Sequence, residues 1–434
     1  MGLFDLFGNK KKEAENEALR EAALQQSREE QIAKARKDHE GMEWPTVPRF
    51  NNIVIGNAEG NTENAEEYTP EDTVSKERKD EIGSLIFEPE LNVNDLSGMN
   101  GQELIFILTA MEAFNKKAEL PGFESNSKKV YYEILGRIRD AKVLYALYDK
   151  DTGFPFVENG YAFVYFEKDL CEKMAEVYAG QYRHLIAVER KVVDDEEPTK
   201  KMGFFEYLYY LGIENMVIDN GGYRARFKRS EIVAAPGEWN RDERDKTPTN
   251  PALNFAMLDF VQEAKWPVNY EKKKNVMKAK EMRMLTLIRN SSFIVPMQHD
   301  GPAEVMEDGR IKIDKNTKTR FPVMKTQDGK EFIPVCSDGF EFARINQERQ
   351  WNAAIFRFRD LIGLAHEKDG IRINPAGQSV VLTRQQMMAI EAAGQQADAI
   401  GAKKTVVKKA GESADDAVQQ AIGQAMAKMK DENK

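Results

Sequence analysis

Two cysteines and four histidines are the residues of this chain best suited to act as nucleophiles or metal ligands. Cys336 ends an apolar strand pattern and stands two residues before Asp338, where a helix is predicted to begin. A helix N-terminus can lower the pKa of a thiol, so this position could activate a nucleophile. Cys171 lacks that placement, and no metal-ligand spacing links either cysteine to the histidines, which are His39, His184, His299 and His366. We therefore expect no metal and no cofactor, and an enzyme that uses Cys336 is the weakest hypothesis.

Glycines and arginines offer little phosphate-binding chemistry. No Walker-type loop and no Gly-x-Gly-x-x-Gly follows a predicted strand, and Gly221-Gly222 is too short to cradle a phosphate. Arg229 and Arg384 occupy matching places at the start of a predicted helix, where a guanidinium could bind an anion or a partner carboxylate. The alternative for both is local packing and pairing. No catalytic constellation emerges, so these arginines are interaction candidates.

The composition favours a folded, non-basic chain. Its 434 residues are 41% hydrophobic and 9% aromatic, which is enough for substantial cores. The net charge of −9 equals that of residues 41–95 alone, which contain thirteen acidic and four basic residues. No domain-sized basic field remains to hold a phosphate backbone, so we expect no nucleic-acid partner. Two cysteines exclude a disulfide framework, and without a signal peptide or a long apolar run the expected location is the cytoplasm.

The ends of the chain are predicted to be tails. Leu3, Phe4, Leu6 and Phe7 share one side of a short helix that three lysines follow, which is typical of a weak interfacial anchor. Peripheral contact with the inner face of a membrane is one interpretation, and packing on a protein partner is the other. We expect a charged helix or tether over 1–40, an acidic linker over 41–97 and an Ala/Gln/Lys-rich tail over 394–434.

An internal repeat dominates the remainder of the sequence. Residues 138–147 align without a gap on 288–297, and 218–232 align on 373–387. Between these blocks, Phe154-Pro155 matches Phe321-Pro322, and two Asp-x-x-Glu helix caps follow at Asp169 and Asp338. The pattern predicts an α+β fold with two diverged copies of one mixed-sheet module and flanking helices, at 98–240 and 250–393. Its predicted elements include a helix over 129–139 and strands over 143–148, 184–190 and 354–358.

The second copy also resembles a known family. The motifs that carry this resemblance are Phe293-Ile294-Val295-Pro296, Phe321-Pro322-Val323, Asp328-Gly329, the run from Phe332 to Phe340, and Gly370-Ile371-Arg372-Ile373-Asn374-Pro375-Ala376-Gly377. Together they resemble the N-terminal domain of the bacterial SseB (enhanced serine sensitivity) proteins. The resemblance implies the same fold and a bacterial cytoplasmic setting, but it carries over no catalytic residue. The first copy departs from the pattern, with Asp219-Asn220 in place of Asn-Pro.

The sequence therefore favours a non-enzymatic interaction or regulatory protein with a protein partner. Its paired modules would present a composite surface, and its tails would recruit partners or touch a membrane. The alternative that the family name suggests is a small-molecule sensor, for which an amino acid is one candidate ligand.

Overall fold

The computed structural model describes residues 3–55, 64–193, 202–235, 247–301, 303–305, 311–313 and 317–405. The chain folds as an α+β protein with mixed sheets, as its sequence predicts. Before the first module come a long helix, a separate hairpin, a short helix and two 3-10 turns. Their bounds are α1 (Leu3–Asp38), β1 (Phe50–Ile55), β2 (Asn64–Tyr68), α2 (Lys76–Gly83), Ser84–Phe87 and Val93–Leu96.

The first module places two helices before a mixed sheet. Its helices and strands are α3 (Gly101–Lys117), α4 (Phe123–Asp140), β3 (Val143–Asp149), β4 (Phe154–Pro155), β5 (Val157–Glu158), β6 (Tyr161–Tyr165), α5 (Lys168–Ala179), β7 (Leu185–Lys191), α6 (Phe204–Tyr210), β8 (Asn215–Ile218) and β9 (Ala225–Lys228). A reciprocal capping box between Asn100 and Glu103 begins α3. The sheet runs in the order β4-β3-β6-β8-β9, and β7 lies against β3. Only β6 and β8 are parallel in this sheet.

The second module has the same sequence of elements with an added hairpin. They are α7 (Pro251–Lys265), α8 (Lys273–Asn290), β10 (Ser292–Asp300), β11 (Ala303–Val305), β12 (Ile311–Ile313), β13 (Lys318–Arg320), β14 (Met324–Lys325), β15 (Glu331–Val335), α9 (Gly339–Ile345), β16 (Asn352–Arg357), α10 (Phe358–Leu364), β17 (Gly370–Ile373), β18 (Val380–Thr383) and α11 (Arg384–Thr405). Strands β13, β10 and β16 form one sheet, and β14, β15, β17 and β18 form another. An antiparallel bridge from Ile294 to Cys336 joins them.

The strands of the two modules pair in the same order. The residues that this pairing matches differ by one position from those matched by the gap-free alignment of 138–147 on 288–297. Tyr145 pairs with Tyr165, and Ile294 pairs with Cys336. Tyr165 directly follows Val164, whose parallel partner Ile218 ends β8. Cys336 directly follows Val335, whose parallel partner Ile373 ends β17. Tyr145 therefore corresponds to Ile294. The alignment of 138–147 on 288–297 is therefore wrong by one residue within the strand. The reason is the helix–strand step, which has two residues after α4 and one after α8.

The predicted helix caps are right in one module and wrong in the other. Asp338 is the N-cap of α9, and its side chain accepts the N–H of Glu341 at 2.9 Å. In the first module the N-cap is Glu167, and its side chain makes no capping bond. Asp169 lies inside the first turn of α5 instead. The block from 218 to 232 does keep its predicted offset, because Met216 pairs with Phe227 as Ile371 pairs with Leu382.

The segment 41–97 is only in part a linker, because much of it covers α3. Val47, Ile82, Ile86, Leu91 and Leu96 are buried in the core of the first module. The apolar run Leu85-Ile86-Phe87, whose composition favours a short docked strand, lies in a 3-10 turn. Acidic composition suggested a solvated segment, but its few apolar residues pack into the core of the first module, against α3 and α4. Their burial makes this segment part of the domain.

Helix α7 belongs to both hydrophobic cores. Leu253, Ala256 and Met257 pack into the core of the second module, whereas Phe255 and Leu258 pack into the core of the first. A helix that buries two opposite stripes must lie between two bodies rather than on a surface. The two modules are therefore held together through the first helix of the second.

Candidate interaction site

A polar network closes the strand ends of both modules. Asp219 and Asn374 are buried, and both have the left-handed backbone conformation, with φ of 57° and 49°. The Asp219 carboxylate accepts the N–H of Phe166 at 2.9 Å, and the Asn374 side-chain oxygen accepts that of Ser337 at 2.8 Å. The side chain of each residue thus fixes the chain where it leaves the central strand. This network stabilises the fold and leaves no open polar cleft among the residues it joins.

The acidic groups near Cys336 form hydrogen bonds and an ion pair with neighbouring side chains. The Asp338 carboxylate accepts from Asn254 at 2.7 Å and from the Ser337 hydroxyl at 2.8 Å. Glu341 pairs with Arg344 at 2.7 Å, and burial raises the pKa of the Glu341 carboxyl. The Asp338 carboxylate is therefore engaged within the fold, whereas only one Glu341 oxygen is bonded, and the other is buried without a hydrogen-bond partner among the described residues.

Neither cysteine is placed as a nucleophile. Cys336 and Cys171 are fully buried, and burial raises the pKa of both thiols. The neighbouring carboxylates of Glu341 and Asp338 raise the pKa of Cys336 further. A raised pKa disfavours the thiolate, which is the reactive form. In the first module the strand pairing puts Tyr165 in the place of Cys336.

The junction between the modules is hydrogen-bonded as well as apolar. The Gln262 amide donates to the carbonyl of Pro155 at 2.9 Å, and its oxygen accepts the N–H of Val157 at 3.0 Å. This side chain therefore pairs with a strand edge as a neighbouring strand would. Close by, the guanidinium of Arg183 lies 3.9 Å from the centre of the Trp266 ring, which favours a cation–π contact.

Arg229 lines a cleft of about 470 Å³ at this junction, and Arg384 does not. The Arg229 side chain is buried, pairs with Glu214 at 3.3 Å and donates to the carbonyl of Val233 at 2.8 Å. Arg283 lines the same cleft from α8. Arg384 is exposed at the start of α11, although its N–H donates to Asp369 as that of Arg229 donates to Glu214. The matched arginines thus share a backbone position but differ in their side-chain environment.

The remaining candidates lie at the N-terminus. Leu3, Phe4, Leu6 and Phe7 belong to α1, but their side chains lie outside what the structure describes. Within the described ranges, no helix is long and apolar enough to cross a membrane. The same part of the chain contains no group of three His, Cys, Asp or Glu side chains that could hold a metal ion.

Two matched edge strands, β7 and β16, differ in how they meet solvent. Strand β7 pairs with β3 and β16 pairs with β10, in the same antiparallel register. The N–H of Phe358 bonds to the directly opposite Ser291, so hydrogen bonding to β10 falls on alternate residues. The backbone N–H and C=O groups of Phe356 and Ala354 consequently point toward β10. The backbone groups of Ala353, Ile355 and Arg357 point away from the sheet.

Glu189 in β7 and Ile355 in β16 occupy the same position, because Glu189 pairs with Tyr145 and Ile355 pairs with the corresponding Ile294. Each is the central residue whose backbone groups point away from the sheet. The Ile355 side chain is 56% exposed. In the first module the 12-residue α5 covers this face, and Ala187 packs against its apolar cluster. The corresponding α9 has only 7 residues, and Ala353 is exposed. The face beside the β16 edge is therefore open and apolar, whereas the face beside the β7 edge is partly covered by α5 and carries the charge of Glu189.

Comparison with known proteins agrees with the fold of the second module. Residues 272–389 match the family model described as the SseB protein N-terminal domain, so the predicted resemblance is confirmed there. The match begins one residue before α8 and covers about a quarter of the chain, and the first module lies outside it. Searches of the curated proteins and of the solved structures return no match.

Sequence reasoning missed the open edge. It predicted the strands at 184–190 and 354–358 and identified neither as the edge of a sheet, because pairing order is not written in local periodicity. One signal was present: the first strand alternates charge along Glu189, Arg190 and Lys191, whereas the second reads Ala353-Ala354-Ile355-Phe356. Natural edge strands are often protected by charge, so the loss of charge marked the second strand.

Proposed function

We propose that this chain is a non-enzymatic interaction or regulatory protein built on two diverged copies of one module, the second of them SseB-like. The observation that carries the proposal is the open edge of β16, with Ile355 56% exposed where the first module has Glu189. An uncovered apolar edge tends to pair with another chain unless it is protected. The unprotected apolar edge of β16 therefore favours a role as a binding surface.

Duplication is supported by the shared geometry of the modules. Both pair their strands in one order, and both use a left-handed residue, Asp219 or Asn374, to hold the next strand end. Since α7 lies between the two cores, the copies would act as one rigid body. A partner would then meet a composite surface in which the first module supports the second.

Site-specific photo-crosslinking in cells tests the interaction function. A benzophenone amino acid would replace Ile355, Met388 or Tyr132 in the full-length chain, since these side chains are 56%, 53% and 66% exposed. We expect a discrete protein adduct from at least one position in the second module. Absence of any adduct, together with saturable turnover of a metabolite by the purified chain, would remove the proposal.

A small-molecule sensor is the second candidate, and the cleft beside Arg229 favours it. This cleft of about 470 Å³ contains the guanidinium groups of Arg229 and Arg283 and the carboxylate of Glu214. Groups of opposite charge in one cleft suit a zwitterion such as a free amino acid. Thermal shift with each of the twenty amino acids tests this candidate. Flat melting curves throughout would exclude it, whereas a shift that Arg283→Ala abolishes would support it.

We also propose that α1 carries a peripheral contact at its N-terminus. The helix has 36 residues, which gives a length of about 54 Å, and its docked end is held by His39, whose ring contacts the carbonyls of Phe114 and Ala118. Sedimentation with anionic lipid vesicles would compare the full chain with a Phe4→Ser, Phe7→Ser variant. Equal sedimentation of the two would argue against lipid contact.

A further inference from the structure

We infer that β16 accepts an extended segment of a partner protein as an added strand, with an apolar side chain against Ile355 and a carboxylate against Arg357. This inference rests on the proposed interaction function and names the chemistry of the partner. Strand addition obtains affinity from main-chain hydrogen bonds and selectivity from alternate side chains. The evidence for each part comes from the edge itself.

The main-chain groups needed for an added strand are present and unpaired. Ala353 and Ile355 direct their N–H and C=O groups away from β10, and Arg357 directs its N–H there, because hydrogen bonding to β10 falls on the residues between them. The C=O of Arg357 is not counted, because Arg357 is the N-cap of α10. Among the described residues, no strand pairs with β16 on that side. These three alternate residues offer up to five hydrogen bonds to an extended segment.

The usual protections of an edge are missing from β16. No proline interrupts Asn352–Arg357, and its register with β10 is continuous, without a bulge. Its central outward side chain is apolar, whereas a proline, a bulge or a central charge commonly prevents edge pairing. The first module retains such a charge at Glu189. The two edges thus share one backbone geometry, but the central side chain is apolar in β16 and charged in β7.

Charge defines the partner further. Arg349 and Arg357 are exposed and form no ion pair within the described residues, and Arg359 reaches only Asp360, at 3.7 Å. Cations flank both ends of the strand with little compensation. A segment that carries carboxylates beside its apolar residue would gain a charge-assisted bond to Arg357. The fitting partner is therefore an extended apolar and acidic segment.

Pairing with a second copy of β16 fits less well. A two-fold axis that joins the outward groups can pass through Ala354, Ile355 or Phe356, and each register sets the outward residues of one copy only against Ala353, Ile355 or Arg357 of the other. None of these registers places a carboxylate opposite Arg357. A different protein with an acidic segment satisfies both the apolar and the charged positions.

Crosslinking with a matched control locates the segment. A benzophenone amino acid would replace Ile355 in one full-length chain and Glu189 in another, since these residues occupy the same place on the two edges. We expect a protein adduct from position 355 only, and peptide mapping should place it in an apolar and acidic segment. Equal adducts from both positions, or adducts only between copies of this chain, would overturn the inference.

Binding of the mapped segment then tests its mode. A synthetic peptide of that segment should slow amide exchange at Ala353, Ile355 and Arg357 in the full-length protein. Ile355→Glu, which introduces the residue of the first module, should weaken binding at least about tenfold, and Arg357→Gln should weaken it about threefold, with less dependence on salt. Both side chains are exposed, so urea midpoints should stay unchanged and exclude misfolding as the cause.

The outcomes separate this inference from the proposed function. Adducts from Met388 or Tyr132 without any from position 355 would leave an interaction protein and remove strand addition. Binding of the peptide without protection of the three amides would also remove it. No adduct from any position would remove strand addition, and together with saturable turnover of a metabolite it would remove the interaction function as well.

Discussion

Asp219 and Asn374 hold the same position in their modules, and only one of them can ionise. Each accepts the main-chain N–H at the end of the neighbouring strand, at 2.9 Å from Phe166 and 2.8 Å from Ser337. Asp219 also accepts from the Gln102 amide at 2.8 Å, whereas Asn374 donates to the Asn254 oxygen at 3.1 Å. One module thus carries a buried carboxyl where the other carries a neutral amide.

This difference predicts a pH dependence that arises from the first module. Burial raises the pKa of Asp219 to about 7, above the ordinary carboxyl value of about 3.9. A raised pKa in the folded state means that the stabilising contribution is full below about pH 4 and is lost as pH rises to about 7. The free energy of unfolding should fall by up to about 1.4 kcal/mol per pH unit in that window. Urea unfolding at half-unit steps from pH 4 to pH 8 measures it.

Asp219→Asn should flatten this slope. The variant should lose about 1 kcal/mol at pH 5, because an amide nitrogen placed toward Gln102 faces a donor. Asn374→Asp provides the reciprocal control. It introduces a carboxyl that faces the acceptors of Asn254 and Gln378, and it should destabilise the protein more as pH rises. Identical slopes for Asp219→Asn and the parent chain would contradict this assignment.

The hydrogen bonds of Gln262 across the junction should contribute to the free energy of unfolding of the full chain. Gln262→Ala leaves the Pro155 carbonyl and the Val157 N–H buried without partners, so unfolding should cost about 2–4 kcal/mol less. Gln347→Ala is the control, because Gln347 is exposed on the second module, and it should change stability by less than about 0.5 kcal/mol. Urea unfolding of the full chain measures both variants. Similar midpoints for the two would argue that the junction is not held by this amide.

Both thiols should be inert in the native protein. Cys171 and Cys336 are buried and burial raises their pKa, so modification by a disulfide reagent at pH 8 should be slower than that of free cysteine on the order of a thousandfold. The rate should approach that of free cysteine once the chain is unfolded in concentrated urea. Rapid reaction of one thiol without denaturant would revive the hypothesis of a nucleophilic Cys336, and Cys336→Ala would identify which thiol reacts.

Much of the architecture follows from the sequence, because the apolar periodicity of long elements survives divergence. The helix predicted at 129–139 spans Phe123–Asp140, and the strand predicted at 143–148 spans Val143–Asp149. The errors lie in connections. One residue fewer between α8 and β10 than between α4 and β3 shifts the strand match, since side chains alternate along a strand and a one-residue slip exchanges its faces.

The interaction site was less accessible to sequence reasoning than the fold. Arg229 was identified from the repeat, but its burial against Glu214 and Tyr209 depends on how α6 packs beside the last hairpin of the first module. Ile355 was part of a predicted strand, yet its exposure results from a short α9 and from the absence of a neighbour beyond β16 among the described residues. These are tertiary facts, and no local pattern contains them. The loss of charge relative to Glu189 becomes informative only after the register is known.

Residue-resolved hydrogen exchange of the free full-length chain tests the open edge most directly. We predict alternation along β16: fast exchange at Ala353, Ile355 and Arg357, and protection by about a thousandfold or more at Ala354 and Phe356, which bond to β10. In β7 the same alternation should appear, with Glu189 exchanging fast. Uniform protection across Asn352–Arg357 in the unbound monomer would show that the edge is already covered, and it would contradict the account.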